Sequence, residues 1–103
     1  MHPAISEKRA DIAALCRQYG VKRLEVFGSA ARGTDFDPAR SDADFLVEFG
    51  PGCSTDLLGD YFRLKDELTG ILGREVDLIE FGALRNPYVI EGINEDRELL
   101  YAA

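Results

Sequence analysis

Asp42-Ala43-Asp44-Phe45-Leu46-Val47-Glu48-Phe49 is the stretch that decides how this chain folds. It is short, apolar at Ala43, Phe45, Leu46, Val47 and Phe49, and Gly50-Pro51-Gly52 closes it, so it reads as a strand. Successive side chains of a strand leave opposite faces. Ala43, Phe45 and Val47 therefore share a face fit for burial, while Asp42 and Asp44 leave the other face together.

Working outward, Val21 to Phe27 alternates Leu24 and Val26 against Arg23 and Glu25, a strand interrupted by Gly28. The connection from Gly28 to Ser41 holds Gly33, Asp37 and Pro38, which suits a surface loop with one helical turn at Ser29 to Arg32. Between Ile5 and Tyr19 the apolar positions Ile12, Leu15, Cys16 and Tyr19 recur at three and four, predicting one amphipathic helix that stops at Gly20. Past the central strand, Leu57, Leu58, Tyr61, Leu64, Leu68 and Leu72 predict a second helix, capped by Ser54 or Thr55 and ended by Gly73. Glu75 to Phe81 alternates as a third strand, and Pro87 opens a short helix through Ile90 and Ile93. The last apolar piece, Leu99 to Tyr101, fits strand or helix. The order helix, strand, strand, helix, strand, helix predicts a mixed α and β (α+β) fold, one small mixed sheet flanked by helices, in a single domain over residues 1–103.

Composition narrows the function. Hydrophobic residues make up 46% of the 103 residues, enough for a core, and 12 Lys plus Arg against 19 Asp plus Glu leave a net charge of -7. Such a chain is repelled by nucleic-acid backbones and anionic membranes, so no direct nucleic-acid or membrane partner is expected. No apolar run approaches the roughly 20 residues of a membrane span, and the start of the chain lacks a signal-peptide pattern, so a cytoplasmic place is expected. Cys16 and Cys53 lie far apart, with His2 the one histidine, which indicates neither a zinc site nor a disulfide scaffold. Cys16 reads as a core residue, Cys53 as a loop residue and His2 as a solvated terminal side chain.

Two carboxylates on one strand face repel each other, and a divalent cation resolves the repulsion. Hard oxygen ligands suit Mg²⁺, which takes one or two carboxylates together with water and substrate phosphates. Asp77, between Val76 and Leu78, points away from the face those two pack on and joins the pair if the strands are neighbours. Three carboxylates around two ions about 4 Å apart are the parts needed for in-line phosphoryl or nucleotidyl transfer. Gly28 lets backbone approach a ligand, and Ser29 offers a hydroxyl to phosphate oxygens; the plainer reading is a strand-ending glycine with a capping serine. Arg32, one turn on, reaches the same phosphates or is a solvated surface arginine. No Lys-Ser or Lys-Thr follows Gly-Ser-Ala-Ala-Arg-Gly, and no Gly-x-Gly-x-x-Gly occurs there, so P-loop and Rossmann readings fail.

Gly28-Ser29-Ala30-Ala31-Arg32-Gly33, Ser41-Asp42-Ala43-Asp44-Phe45-Leu46-Val47 and Val76-Asp77-Leu78 together resemble the signature of the DNA polymerase β type nucleotidyltransferases. With the short length, Asn86-Pro87 and Leu100-Tyr101, the chain is similar to the minimal nucleotidyltransferases (MNT proteins), antitoxins encoded beside their HEPN-domain toxin partners, from Leu24 to Tyr101. The resemblance implies a catalytic and metal-binding role for Asp42, Asp44 and Asp77, with Asp42 and Asp44 bridging two Mg²⁺ ions. It implies that Gly28 and Ser29, with Arg32 nearby, hold the triphosphate of ATP. The implied activity is protein adenylylation: AMP passes from ATP to a tyrosine of the HEPN toxin, in a hetero-oligomer with it. Ala30 stands where the family often has Arg. Two alternatives differ in class: an antitoxin that acts by binding alone, and a transferase with a small-molecule acceptor.

Overall fold

The structure is a computed structural model, and it describes residues 1–33, 37, 42–50, 57–83 and 85–103. Its first helix, α1 (Pro3–Ser6), starts on a proline and a side-chain cap: His2 Nδ1 accepts from the Ala4 amide at 3.0 Å. His2 is therefore half-buried and structural, not the solvated terminal side chain expected, and its own amide donates to the Ala30 carbonyl at 2.8 Å. The single helix predicted over 5–19 is two, because Lys8 leaves the helical conformation before α2 (Arg9–Gln18) begins. The break gives Ile5 and Ile12 separate helix axes, and both side chains are fully buried.

β1 (Val21–Phe27) has the predicted bounds, and α3 (Ser29–Arg32) is the single turn expected after it. β2 (Ala43–Phe49) begins one residue later than predicted, which leaves Asp42 exposed at its doorstep. α4 (Leu57–Leu72) ends at Gly73 as its periodicity indicates. β3 (Val76–Glu80) is shorter than the predicted strand, since Phe81 turns into a 3-10 turn at Phe81–Ala83. α5 (Pro87–Asp96) has Pro87 at its first position and Asn86 as cap, accepting from the Tyr88 amide at 2.9 Å. The ambiguous last piece is a strand, β4 (Glu98–Ala102), because β1 offers it an antiparallel edge. The proposed caps Ser54 and Thr55, and the loop residue Cys53, lie outside the described residues.

The four strands form one mixed sheet in the order β3-β2-β1-β4. β1 runs antiparallel to both β2 and β4, whereas β2 and β3 are parallel and need the crossover that α4 supplies. One sheet face carries Leu24, Val26, Phe45, Val47, Leu78 and Leu100, all buried, under Ile12, Leu15 and Cys16 of α2 and Leu64 and Leu68 of α4. Truncating Phe45 to Ala in such a core costs roughly 3–5 kcal/mol. The opposite face is covered in part by α5, where Leu46 and Ile93 are buried, and what α5 leaves open holds the carboxylates.

Candidate active site

β1 ends where β2 and β3 begin, and their register fixes the site. Parallel pairing sets Asp44 opposite Asp77, and antiparallel pairing sets Phe27 opposite Asp44. Facing residues on neighbouring strands share a sheet face at a spacing of about 5 Å, so both carboxylates leave the sheet side by side. Asp42, two residues upstream, adds a third negative charge: burial, then Asp77, then Asp42 push the Asp44 carboxyl above its usual value. Arg32 acts on the same group in the opposite sense. Four of the six residues singled out in the sequence thus interact around Asp44.

Gly28 is the fifth. It sits at φ +69° and ψ -151°, a conformation that side chains rarely adopt, and a β-carbon there would stand 2.7 Å from Asp44 Oδ2. The missing side chain leaves room beside the carboxylate that any other residue would fill. Ser29, the sixth, is half-buried and opens α3; its carbonyl accepts from the Gly33 amide at 2.8 Å, while the Gly28 carbonyl accepts from Ala31 and Arg32, each at 3.1 Å. Arg32 is exposed, as the plainer sequence reading has it, and it is also ion-paired. Its Nη1 lies 2.5 Å from Asp96 Oδ2 at the end of α5.

The donor set fits a hard divalent cation. It consists of carboxylate oxygens, carries excess negative charge at Asp44, and has Gly28 in place of a bulky neighbour. Among the described residues no three acidic, histidine or cysteine side chains close into a finished cage, so the chain offers a partial set to which substrate phosphates and water would add. An apolar cavity of about 560 Å³ between Phe49, Leu58, Tyr61 and Leu78 lies at the other end of β2 and β3 and contains none of these carboxylates.

Two residues of the neighbourhood escape sequence reading. Glu25 alternates with the core residues of β1 and so reads as a surface acid, yet it is buried and meets Arg97, with Nε 2.6 Å from its Oε2 and Nη2 donating to Oε1 at 3.2 Å. Asp96 looks like one more acid on an exposed helix, and only the chain's return over the sheet brings it to Arg32.

Comparison with known proteins agrees with this architecture. The sequence profile of the nucleotidyltransferase domain matches residues 12–100. A candidate protein adenylyltransferase of Methanocaldococcus jannaschii is 43% identical over 82 residues, 80% of this chain and 79% of that protein. Among solved structures, a candidate minimal nucleotidyltransferase matches with a TM-score of 0.74 at 34% identity over 95% of both chains. A chain from the complex of a tri-AMPylated Shewanella oneidensis HEPN toxin with its MNT antitoxin shares the fold, with a TM-score of 0.64 at 17% identity over 95% of this chain and 72% of that one. Among the described residues no helix is long and apolar enough to cross a membrane. A profile that spans most of the sequence, on a fold shared along nearly its whole length, makes this chain a member of the nucleotidyltransferase domain family, an enzyme of its minimal kind.

Proposed function

We propose that this protein is a Mg²⁺-dependent nucleotidyltransferase that moves AMP from ATP to a protein hydroxyl, a tyrosine of a HEPN-domain toxin, and so serves as that toxin's antitoxin in the cytoplasm. The observation that carries the reading is the in-register pair Asp44 and Asp77 with Gly28 pressed against Asp44. The names of the relatives support adenylyl transfer to protein, and the HEPN complex supports the choice of acceptor.

In this reading Asp42, Asp44 and Asp77 would hold two Mg²⁺ ions. Bound Mg²⁺ neutralises the triphosphate and lowers the pKa of the attacking hydroxyl. Gly28 and Ser29 receive the triphosphate where the backbone comes closest to Asp44, and Arg32 adds positive charge beside it. The acceptor oxygen forms a bond to the α-phosphorus as the bond to the bridging oxygen breaks; pyrophosphate leaves, and the hydroxyl proton is lost to solvent. A net charge of -7 favours a protein acceptor over a nucleic acid, in a hetero-oligomer with the toxin.

Mass spectrometry of the neighbouring gene's product, after incubation with this protein, ATP and Mg²⁺, tests the reading. An AMP adduct on a tyrosine is expected with the native protein and none with Asp42→Ala/Asp44→Ala. A folded native protein that leaves its neighbour unmodified would overturn it.

A further inference from the structure

α5 ends on two charged residues that grip different parts of the molecule. Asp96, its last residue, pairs with Arg32 Nη1 at 2.5 Å across 64 positions of sequence. Arg97, the next residue, is fastened to buried Glu25 on β1, two residues before the Phe27 that faces Asp44. One turn back, Ile93 is buried, and its carbonyl accepts from the Arg97 amide at 2.9 Å. The end of α5 is thus held on both sides of Asp96, whose own side chain is mostly shielded from solvent.

Arg32 in turn closes the single turn that Gly28 opens beside Asp44: its amide donates to the Gly28 carbonyl at 3.1 Å, and a β-carbon on Gly28 would stand 2.7 Å from Asp44 Oδ2. Asp96 on α5 thus anchors the guanidinium carried by the very turn that packs on Asp44. An arginine free to sample rotamers must lose that freedom when it meets an anion, and one restrained beforehand has already lost it. A guanidinium donates through a fork of five N–H groups, so a carboxylate at one terminal nitrogen is compatible with a second anion on another edge.

We propose that Asp96 is a positioning residue for nucleotide binding: it holds the Arg32 guanidinium at the mouth of the carboxylate site, so that the triphosphate meets an arginine already in place. The proposal rests on the reading of Arg32 as a phosphate-binding residue. It makes α5, which carries none of the signature residues, a working part of the nucleotide site. The opposite arrangement, in which Asp96 competes with the triphosphate for Arg32, has the opposite sign.

Affinity for Mg²⁺-ATP, measured by titration calorimetry on the native protein, Asp96→Ala, Asp96→Asn, Asp96→Glu, Arg32→Ala and the Arg32→Ala/Asp96→Ala double variant, tests it. Asp96→Ala is expected to weaken binding about three- to tenfold, the scale of a partly exposed pair with a preorganising role, and to raise KM for ATP while kcat stays within about twofold. Asp96→Glu restores most of the loss, and Asp96→Ala adds nothing once Arg32 is gone. If Asp96→Ala does not fold, Asp96→Asn carries the same expectation with the side-chain shape kept. Unchanged or tighter binding, or an equal loss in the Arg32→Ala background, overturns the proposal. A native protein that binds Mg²⁺-ATP but transfers no AMP refutes the function proposed above while the binding series still decides Asp96; one that binds no Mg²⁺-ATP refutes both.

Discussion

Gly28 is packed against Asp44 so tightly that a β-carbon on the glycine would stand 2.7 Å from the carboxylate's Oδ2. The contact joins the end of β1 to the start of β2 and ties the turn that Gly28 opens to the Asp44 side chain. Gly28→Ala should therefore cost far more activity than stability. Its positive φ and the close approach together destabilise the fold by about 1–3 kcal/mol, whereas displacing the Asp44 carboxylate lowers the transfer rate on the order of a hundredfold. Thermal melts alongside transfer assays check this, and a variant with native activity would show that the turn does not set the carboxylate's position.

Asp44 gives a prediction in pH. Its carboxyl is raised in the fold by burial and by Asp77 and Asp42, so the folded chain holds that proton more tightly than the unfolded chain does. Without divalent cations, stability is greatest below the unfolded value and falls as pH rises through the raised one. Asp44→Asn removes that slope and should raise the melting temperature at neutral pH in chelator, while transfer falls on the order of a thousandfold or more and Mg²⁺ no longer stabilises the fold. Melting curves over a pH series, with and without Mg²⁺, report both halves.

Glu25 and Arg97 form the pair that fastens the α5 terminus, and Phe81 lies over both Arg23 and Arg97, with ring-centroid distances of 5.2 and 5.8 Å. Glu25→Gln leaves Arg97 without its buried carboxylate and should destabilise the protein by about 2 kcal/mol, a fall in Tm of roughly 10 °C for a domain of this size. Denaturant titration measures it. A change below about 0.5 kcal/mol would mean that the pair is not an anchor.

Cys16 is fully buried in the core, and burial pushes its thiol up to about 12. It should be inert at neutral pH because the thiolate, the reactive form, is absent. In a Cys53→Ser chain a thiol reagent should label nothing in the native state and one group per chain after denaturation. Rapid native labelling would contradict the packing of α2 against the sheet.

Much of this architecture is legible in the sequence because alternation and helical spacing are local signals. Val21–Phe27 and the Leu64-Leu68-Leu72 row of α4 read correctly for that reason. The sequence reads Asp42 and Asp44 as sharing one strand face; β2 begins at Ala43, so Asp42 lies just outside the strand, from where its charge still acts on Asp44. It does not place Asp77 opposite Asp44: that depends on the parallel register of β2 and β3, set by packing across the whole sheet. The break between α1 and α2 is hidden because Ile5 and Ile12 stand two helical turns apart, as they would on one continuous helix, and the cap at His2 because Ser, Thr, Asp and Asn are the usual caps. Glu25 and Asp96 were missed for a different reason. Both look like ordinary surface acids until α5 folds back over the sheet and delivers Arg97 to the one while Asp96 finds Arg32.

The most direct test of adenylyl transfer is to supply ATP labelled with ³²P at the α-phosphate and, separately, at the γ-phosphate, with Mg²⁺, this protein and the product of the neighbouring gene. The account predicts label on the neighbour from the α-position only, and none with Asp42→Ala/Asp44→Ala. Label from the γ-position would make the chain a kinase. No label from either, while native and double-variant proteins bind the neighbour equally well, would contradict catalysis at Asp42, Asp44 and Asp77 and leave an antitoxin that works by binding alone.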